Sequence, residues 1–366
     1  MIWVQLLIGL VVLIVGAEIL VRGGSRLAAV MGISPLVIGM TVVAFGTGAP
    51  EIATALQAGQ AGQLDLAVGN IVGSNISNVL LILGIAALVA PLVVMQRLVK
   101  REVPLMVLVS LMVWLLSLDG GIGQPEGAIL LLGGIAYTGF VIYQSRKESQ
   151  EVIDEYAQEY SAEPPINSPN RYRLLMINAL FVVAGLACLV VGSRWLVDSA
   201  VEIAGLLGLS ETIIGLTIVS VGTSMPELAT SAIASRRGEG DIAVGNVVGS
   251  NLFNLLVVLG LTAAAMPAGL PVSEAVRNFD LPVMVAVAFA CLPVFYVGYR
   301  ISRWEGALFV GYYAVYIAYM LLESTQHDAL PAFSAIMLQF VIPLTVITLF
   351  ILVGRFFWVE RSTSPD

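Results

Sequence analysis

Long apolar runs, broken by short polar ones, dominate the chain. A helix crossing a bilayer takes about 20 mostly apolar residues. On that scale apolar segments fall near 2–21, 34–57, 66–90, 103–118, 127–143, 174–197, 210–234, 242–266, 281–299, 304–322 and 331–357, which predicts eleven spans. The pieces at 103–118 and 127–143 are short for a span. One stretch, 145–172, is clearly polar, and its Glu151, Asp154, Glu155 and Glu159 have helical spacing ahead of a Pro/Asn-rich turn. It reads as a solvated cytoplasmic linker. The chain therefore divides into residues 1–144 with five spans, the linker 145–172, residues 173–322 with five more, and 323–366 with an additional C-terminal span and tail.

Composition agrees with this pattern. The 366 residues are 58% hydrophobic and 11% charged, whereas a soluble domain carries roughly 25% charged residues. The expected fold class is an all-α polytopic membrane protein whose main partner is the lipid bilayer. A net charge of −8 says little about partners, because many acids sit in the linker, and nothing points to nucleic acid. Cys188 and Cys291 lie alone in apolar segments and read as buried thiols, and His327 is the only histidine. Histidine relays and thiolate metal clusters are excluded on that inventory. The N-terminus enters an apolar run without a basic region or cleavage site, so it reads as the first membrane helix.

Basic residues orient the spans, since cytoplasmic loops collect Lys and Arg. With the N-terminus outside and the C-terminus inside, fifteen basic residues fall on the cytoplasmic side, and only Arg194 and Arg277 fall on the other. A single misplaced span would scramble that split.

The chain also matches itself without a gap at an offset of 176 residues. Residues 39–84 read GMTVVAFGTGAPEIATALQAGQAGQLDLAVGNIVGSNISNVLLILG, and residues 215–260 read GLTIVSVGTSMPELATSAIASRRGEGDIAVGNVVGSNLFNLLVVLG. Weaker matches continue outward, with Gly16 against Gly192, Pro104 against Pro282 and Glu126-Gly127-Ala128 against Glu305-Gly306-Ala307. Five spans separate each element from its copy, and five is odd. The copies must cross the membrane in opposite directions, an arrangement typical of alternating-access transporters with a site at the midplane.

GTGAPE (46–51) and GTSMPE (222–227) fall in the middle of the second and seventh spans. Proline lacks an N–H, so Pro50 and Pro226 leave the carbonyls of Gly46 and Gly222 without helical partners. Such carbonyls are costly in lipid unless protein, water or an ion satisfies them. Beside each break stands a glutamate, Glu51 or Glu227, and an ionised side chain at the bilayer centre costs roughly 2.5–3.5 kcal/mol. A proline kink whose glutamate is protonated or salt-bridged is the plainer alternative; no Lys or Arg lies near mid-membrane to pair with it, which leaves protonation open for one glutamate. Thr47 and Thr223 each sit four residues before their glutamate, on the same helical face. In the third and eighth spans, Asn70, Ser74 and Asn78, and likewise Asn246, Ser250 and Asn254, form polar stripes beside Gly69/Gly73 and Gly245/Gly249. The glycines read as close-packing positions, and Asn75 and Asn251, off the stripes, as interhelical hydrogen bonders. Every candidate ligand is oxygen, which suits hard cations such as Ca²⁺ or Na⁺.

These paired G-T-x-x-P-E and G-N-x-x-G-S-N-x-x-N motifs resemble those of the cation/calcium exchanger superfamily, in its prokaryotic sodium/calcium exchanger branch, over residues 1–322. The resemblance implies ten helices in two inverted-topology five-helix repeats, with the motif helices at the centre. It places Glu51, Glu227, Thr47 and Thr223 in a calcium shell. It completes a sodium shell with Ser224, Asn78, Ser74 and Ser250 and the backbone oxygens of Ala44 and Ser220. Asn254 joins the site where several relatives have aspartate, and Gly48 stands where the first motif usually carries serine. The eleventh span departs from the family pattern as well.

The expected activity is antiport of Ca²⁺ against Na⁺ in a prokaryotic cytoplasmic membrane, with these ions as cargo and no cofactor. The alternatives are a proton/calcium antiporter, in which the glutamates carry H⁺, and more distantly a cation channel. An intramembrane enzyme lacks a catalytic constellation. Glu18, whose repeat mate is Arg194, is expected to snorkel and pair with Arg22.

Overall fold

The structure, a computed structural model, describes residues 2–145, 170–207, 220–348 and 354. The linker expected at 145–172 therefore lies almost wholly outside the described residues, as does the first half of the seventh span. Ten described helices are long and apolar enough to cross a membrane. They are α1 (Ile2–Met31), α2 (Pro35–Gln60), α3 (Ala67–Val89), α4 (Leu98–Asp119), α5 (Gln124–Gln144), α6 (Arg171–Leu206), α8 (Gly240–Ala265), α9 (Val276–Tyr299), α10 (Arg303–Ser324) and α11 (Leu330–Thr348). Between α6 and α8, Ser220–Thr223 and Met225–Arg236 form the described part of α7.

Two of these helices correct the lengths read from hydropathy. Rather than the short pieces expected at 103–118 and 127–143, α4 has 22 residues and α5 has 21. The first turn of α4 carries Lys100, Arg101 and Glu102 in a π-helical turn, Leu98–Glu102, and charge hides such a turn from a hydropathy scale. At the other extreme, α1 and α6 run to 30 and 36 residues. Glu18 near the end of the apolar part of α1 does pair with Arg22, at 2.7 Å, and it also meets Arg237 beyond α7.

The inversion of the repeats is visible in how α1 meets α6. A Cβ on Gly9 would lie 2.8 Å from the backbone N of Leu196, one on Gly16 2.9 Å from that of Leu189, and one on Gly23 3.0 Å from that of Val182. As the number rises along α1 it falls along α6, so the two helices are antiparallel. Gly9 also faces Gly192 while Gly16 faces Gly185, and each pair is the 176-residue image of the other. A two-fold relation produces such exchanged pairs. Where the offset-176 core ends, the same exchange recurs: Gly84 stands against Gly306, and Gly260 against Gly127.

Short strands repeat the pattern at the helix ends. Strand β1 (Leu92–Val93) pairs antiparallel with β4 (Arg300–Ile301), and β2 (Gly121–Ile122) with β3 (Leu270–Pro271). Each ladder ties one repeat to the other.

Burial sorts the helices into a centre and a rim. Some 94% of the most apolar stretch of α8 is buried and 78% of that of α3, against 22% for α6 and none for α11. The motif helices are thus the core, and α1, α6 and α11 face outward. Helix α11 adds to the ten-helix frame along α10, where Tyr312 hydrogen-bonds Thr345 and reaches the carbonyl of Val341.

Candidate cation site

Both broken helices break where their proline predicts. Helix α2 is interrupted at Gly48 (φ −80°, ψ −1°) and restarts at Ala49–Gln60 with Pro50 in its first turn. Helix α7 is interrupted at Ser224 (φ −92°, ψ 11°) and restarts at Met225–Arg236 with Pro226 in its first turn. Each preceding segment, Ala44–Thr47 and Ser220–Thr223, ends with its carbonyls toward the break. A helix C-terminus carries partial negative charge, which favours a cation there. The freed carbonyl of Gly222 receives the Ser193 hydroxyl at 3.0 Å. In the other repeat the matching residue is Ala17, which has no hydroxyl to offer.

Glu51 and Glu227, in the first turn after each break, are both buried and lie within range of each other's charge. Among the described residues the ion pairs are elsewhere, at Glu18 and at Glu274 with Arg277. Two buried carboxylates without a basic partner are unfavourable unless a cation or proton neutralises them.

The hydroxyl and amide groups around them come together in pairs that cross between repeats. Thr47 stands 3.5 Å from Asn246 Oδ1, lies against the Glu227 carboxylate, and donates to the carbonyl of Val43 at 3.1 Å. In the image, Thr223 stands 3.5 Å from Asn70 Oδ1. Ser224 and Ser74 bring their hydroxyl oxygens to 3.5 Å. Asn246 also donates to Ser231 at 3.0 Å, which fixes its amide beside Glu227.

Asn78 and Asn254 each open a π-helical turn, Asn78–Leu83 and Asn254–Val258. Such widened turns are frequent at functional positions because they redirect a side chain and loosen the backbone ladder. Asn78 donates to Asn251 at 3.0 Å, and Asn251 donates onward to the carbonyl of Asn75 at 3.4 Å. Asn75 itself bonds back to Ile71 at 2.9 Å, so this off-stripe pair serves helix packing.

Six buried oxygens among these residues have no hydrogen-bond partner: Glu51 Oε2, Glu227 Oε2, Asn75 Oδ1, Asn78 Oδ1, Ser250 Oγ and Asn254 Oδ1. Natural structures satisfy the large majority of buried polar atoms, so a cluster of orphaned acceptors points to a missing positive guest. Ala44 is buried, with its carbonyl accepting from Gly48 N–H at 2.9 Å and lying 3.5 Å from the Thr47 hydroxyl. Ser220 contributes described backbone at the start of its turn, and the N–H of Ser224 bonds Val221 rather than the Ser220 carbonyl.

Sequence reading passed over two polar groups that the fold assembles. Glu102 is buried and accepts from the Tyr137 hydroxyl at 2.7 Å, while Arg97 lies within charge range. Its image is Asp280, which accepts from Tyr316 at 2.9 Å. The signal was present as a repeat with a drifting offset, 178 for the acids and 179 for the tyrosines. Tyr137→Phe or Tyr316→Phe should destabilise the protein by about 1–3 kcal/mol, since each takes the hydroxyl partner from an acid, buried at Glu102 and half-buried at Asp280. Thermal melting in detergent should show both variants unfolding below the wild type.

The sodium/calcium exchanger protein family matches residues 1–144 and 177–322. CaxA of Alkalimonas amylolytica is 41% identical over 313 residues, covering 84% of this chain and 95% of its own. The sodium/calcium exchanger MaX1 of Methanosarcina acetivorans is 33% identical over 338 residues, covering 85% and 96%. A structure of the sodium-calcium exchanger NCX_Mj, soaked with Na⁺ and Sr²⁺, superposes with a TM-score of 0.72 at 30% identity, covering 86% of this chain and 96% of that one.

Proposed function

Because the chain belongs to the sodium/calcium exchanger protein family, we propose that it is a Ca²⁺/Na⁺ antiporter whose ions share one midplane site centred on Glu51 and Glu227. The observation that carries this reading is that two buried carboxylates without a counter-charge stand beside unpartnered oxygens of Asn78, Ser250 and Asn254. Two carboxylates balance one divalent ion or two monovalent ions. Ca²⁺ takes six to eight oxygens at 2.3–2.6 Å, and Thr47, Thr223 and the chain carbonyls bordering each break supply further oxygens beyond the carboxylates.

Sharing is what couples the fluxes. Ca²⁺ and Na⁺ both need Glu51 and Glu227, so either ion excludes the other and the protein crosses between its two open states with one kind of cargo. In this reading Ser224, Ser74, Ser250, Asn78 and Asn254 belong to the monovalent shell, with the backbone oxygens of Ala44 and Ser220. The protein lies in a prokaryotic cytoplasmic membrane with its N-terminus outside. Residues 1–144 and 173–322 are the two inverted repeats, and the site alternates between faces as α1 and α6, with their hinge-rich companions, slide against the central core.

Calcium uptake into proteoliposomes tests the coupling. Vesicles loaded with Na⁺ are expected to take up Ca²⁺, and vesicles loaded with choline are expected not to. Uptake driven by a pH gradient alone would replace Na⁺ by H⁺ as the coupling ion. Flux that needs no counter-ion gradient would make the protein a channel.

A further inference from the structure

The two-fold relation makes two flanking subsites beside the carboxylate pair, and this chain fills them differently. On one side Ser224, at the α7 break, meets Ser74 with hydroxyl oxygens 3.5 Å apart. The image of that pair is Gly48 and Ser250. Gly48 has no hydroxyl, and the Ser250 oxygen is buried without a partner.

An aromatic ring has taken the space. A Cβ on Gly48 would lie 2.8 Å from both Cδ1 and Cε1 of Phe253, closer than packed carbon atoms approach, so no larger side chain fits while the ring is there. Phe253 is buried and lies three residues after Ser250, on the same side of α8. Phe45 packs against it with ring centroids 4.5 Å apart and planes tilted by 37°. At the image positions the chain carries Ser77 in place of Phe253 and Val221 in place of Phe45. One subsite thus holds a pair of hydroxyls, Ser224 and Ser74, whereas the other holds two packed rings and a glycine beside Ser250.

We propose that Phe253 is a specificity-determining residue that closes the Gly48–Ser250 subsite to monovalent cations, leaving the Ser224–Ser74 subsite as the open one of the pair. A dehydrated cation needs oxygens around it, and the edge of a phenyl ring supplies none. The Gly48/Phe253 exchange removes a hydroxyl and adds apolar volume in one step. The exchanger accordingly draws on fewer Na⁺ ions per Ca²⁺ than a site with two open subsites. This inference rests on the antiport reading above, which it amends by taking Ser250 out of the monovalent shell.

The test rebuilds the closed subsite as a copy of the open one, with Gly48→Ser and Phe253→Ser together, and measures displacement of bound ⁴⁵Ca²⁺ by NaCl in detergent. The Na⁺ dependence of displacement is expected to steepen by about one ion in the double variant, following mass action. Phe253→Leu, which keeps the volume apolar, is expected to leave the steepness at the wild-type value, and it serves as the folded control. Identical steepness in the wild type and a folded, Ca²⁺-binding double variant would overturn the inference and leave the antiport reading standing. Failure of Na⁺ to displace ⁴⁵Ca²⁺ from the unaltered protein would overturn both. Should the double variant fail to fold, Phe253→Ser alone is read the same way, with a steeper dependence expected once the ring is gone and an unchanged one against the proposal.

Discussion

Replacing either Glu51 or Glu227 with glutamine is expected to abolish calcium uptake into proteoliposomes while the protein still folds. Glutamine keeps the shape and removes one charge. A unit charge 4 Å from a cation is worth about 4 kcal/mol per charge of the ion at an effective dielectric of 20. Tenfold in affinity corresponds to about 1.4 kcal/mol, so the loss is on the order of a thousandfold or more. Stability should move the other way in ion-free solution, because each variant relieves the burial of two like charges within range of each other. The two effects separate in one thermal-melting experiment. Without ions, either variant is expected to melt at or above the wild type. With added Ca²⁺ only the wild type is expected to gain, since a ligand stabilises the state it binds. Normal uptake by a well-expressed Glu51→Gln or Glu227→Gln protein would remove the two carboxylates from the transport site.

Gly249→Val is expected to have nearly as large an effect without touching a candidate ligand. A Cβ at Gly249 would lie 2.6 Å from Cα and 2.7 Å from the carbonyl oxygen of Met40, so α8 would meet the backbone of α2 rather than a side chain that could rotate away. Helix α2 must then shift. One turn before Gly249, Asn246 faces Thr47, so the shift falls on the site. Overpacking of this kind costs about 1–3 kcal/mol, and misplacement by on the order of 1 Å in a preorganised site costs about a hundredfold. Calcium uptake by Gly249→Val should therefore be strongly reduced, together with a lower melting temperature. Gly139→Val is the matched control, because a Cβ at Gly139 would meet nothing within 4 Å. Wild-type uptake by Gly249→Val would show that the α2–α8 contact is not what holds the site.

Much of this protein can be read from local sequence. Apolar run length marks the spans because the bilayer sets one length for every helix. Proline and glycine mark the breaks in α2 and α7 because missing donors and missing side chains act on the residue's own backbone. The offset of 176 residues exposes the repeat, and an odd number of spans between copies sets their opposite sense, which the falling contact order of α1 on α6 displays. Where charge sits inside a span, as at Lys100 to Glu102, the same reading shortens the helix and loses a buried acid.

The pairing of faces is another matter. That Thr47 meets Asn246, that Tyr137 caps Glu102, and that Phe253 lies on Gly48 are contacts across tens to hundreds of residues of chain. Hydropathy and spacing say which side of a helix is polar, not which helix it turns toward. Membrane class, the spans and their breaks, the inverted repeat and an all-oxygen set of candidate ligands are all legible along the chain. That those oxygens meet across the repeat boundary, which of them are left without partners, and that an aromatic pair fills one side of the two-fold emerge from packing alone. The reason is physical: helix formation and membrane insertion are settled by each segment's own composition, whereas coordination and exclusion depend on distances between segments that only packing sets.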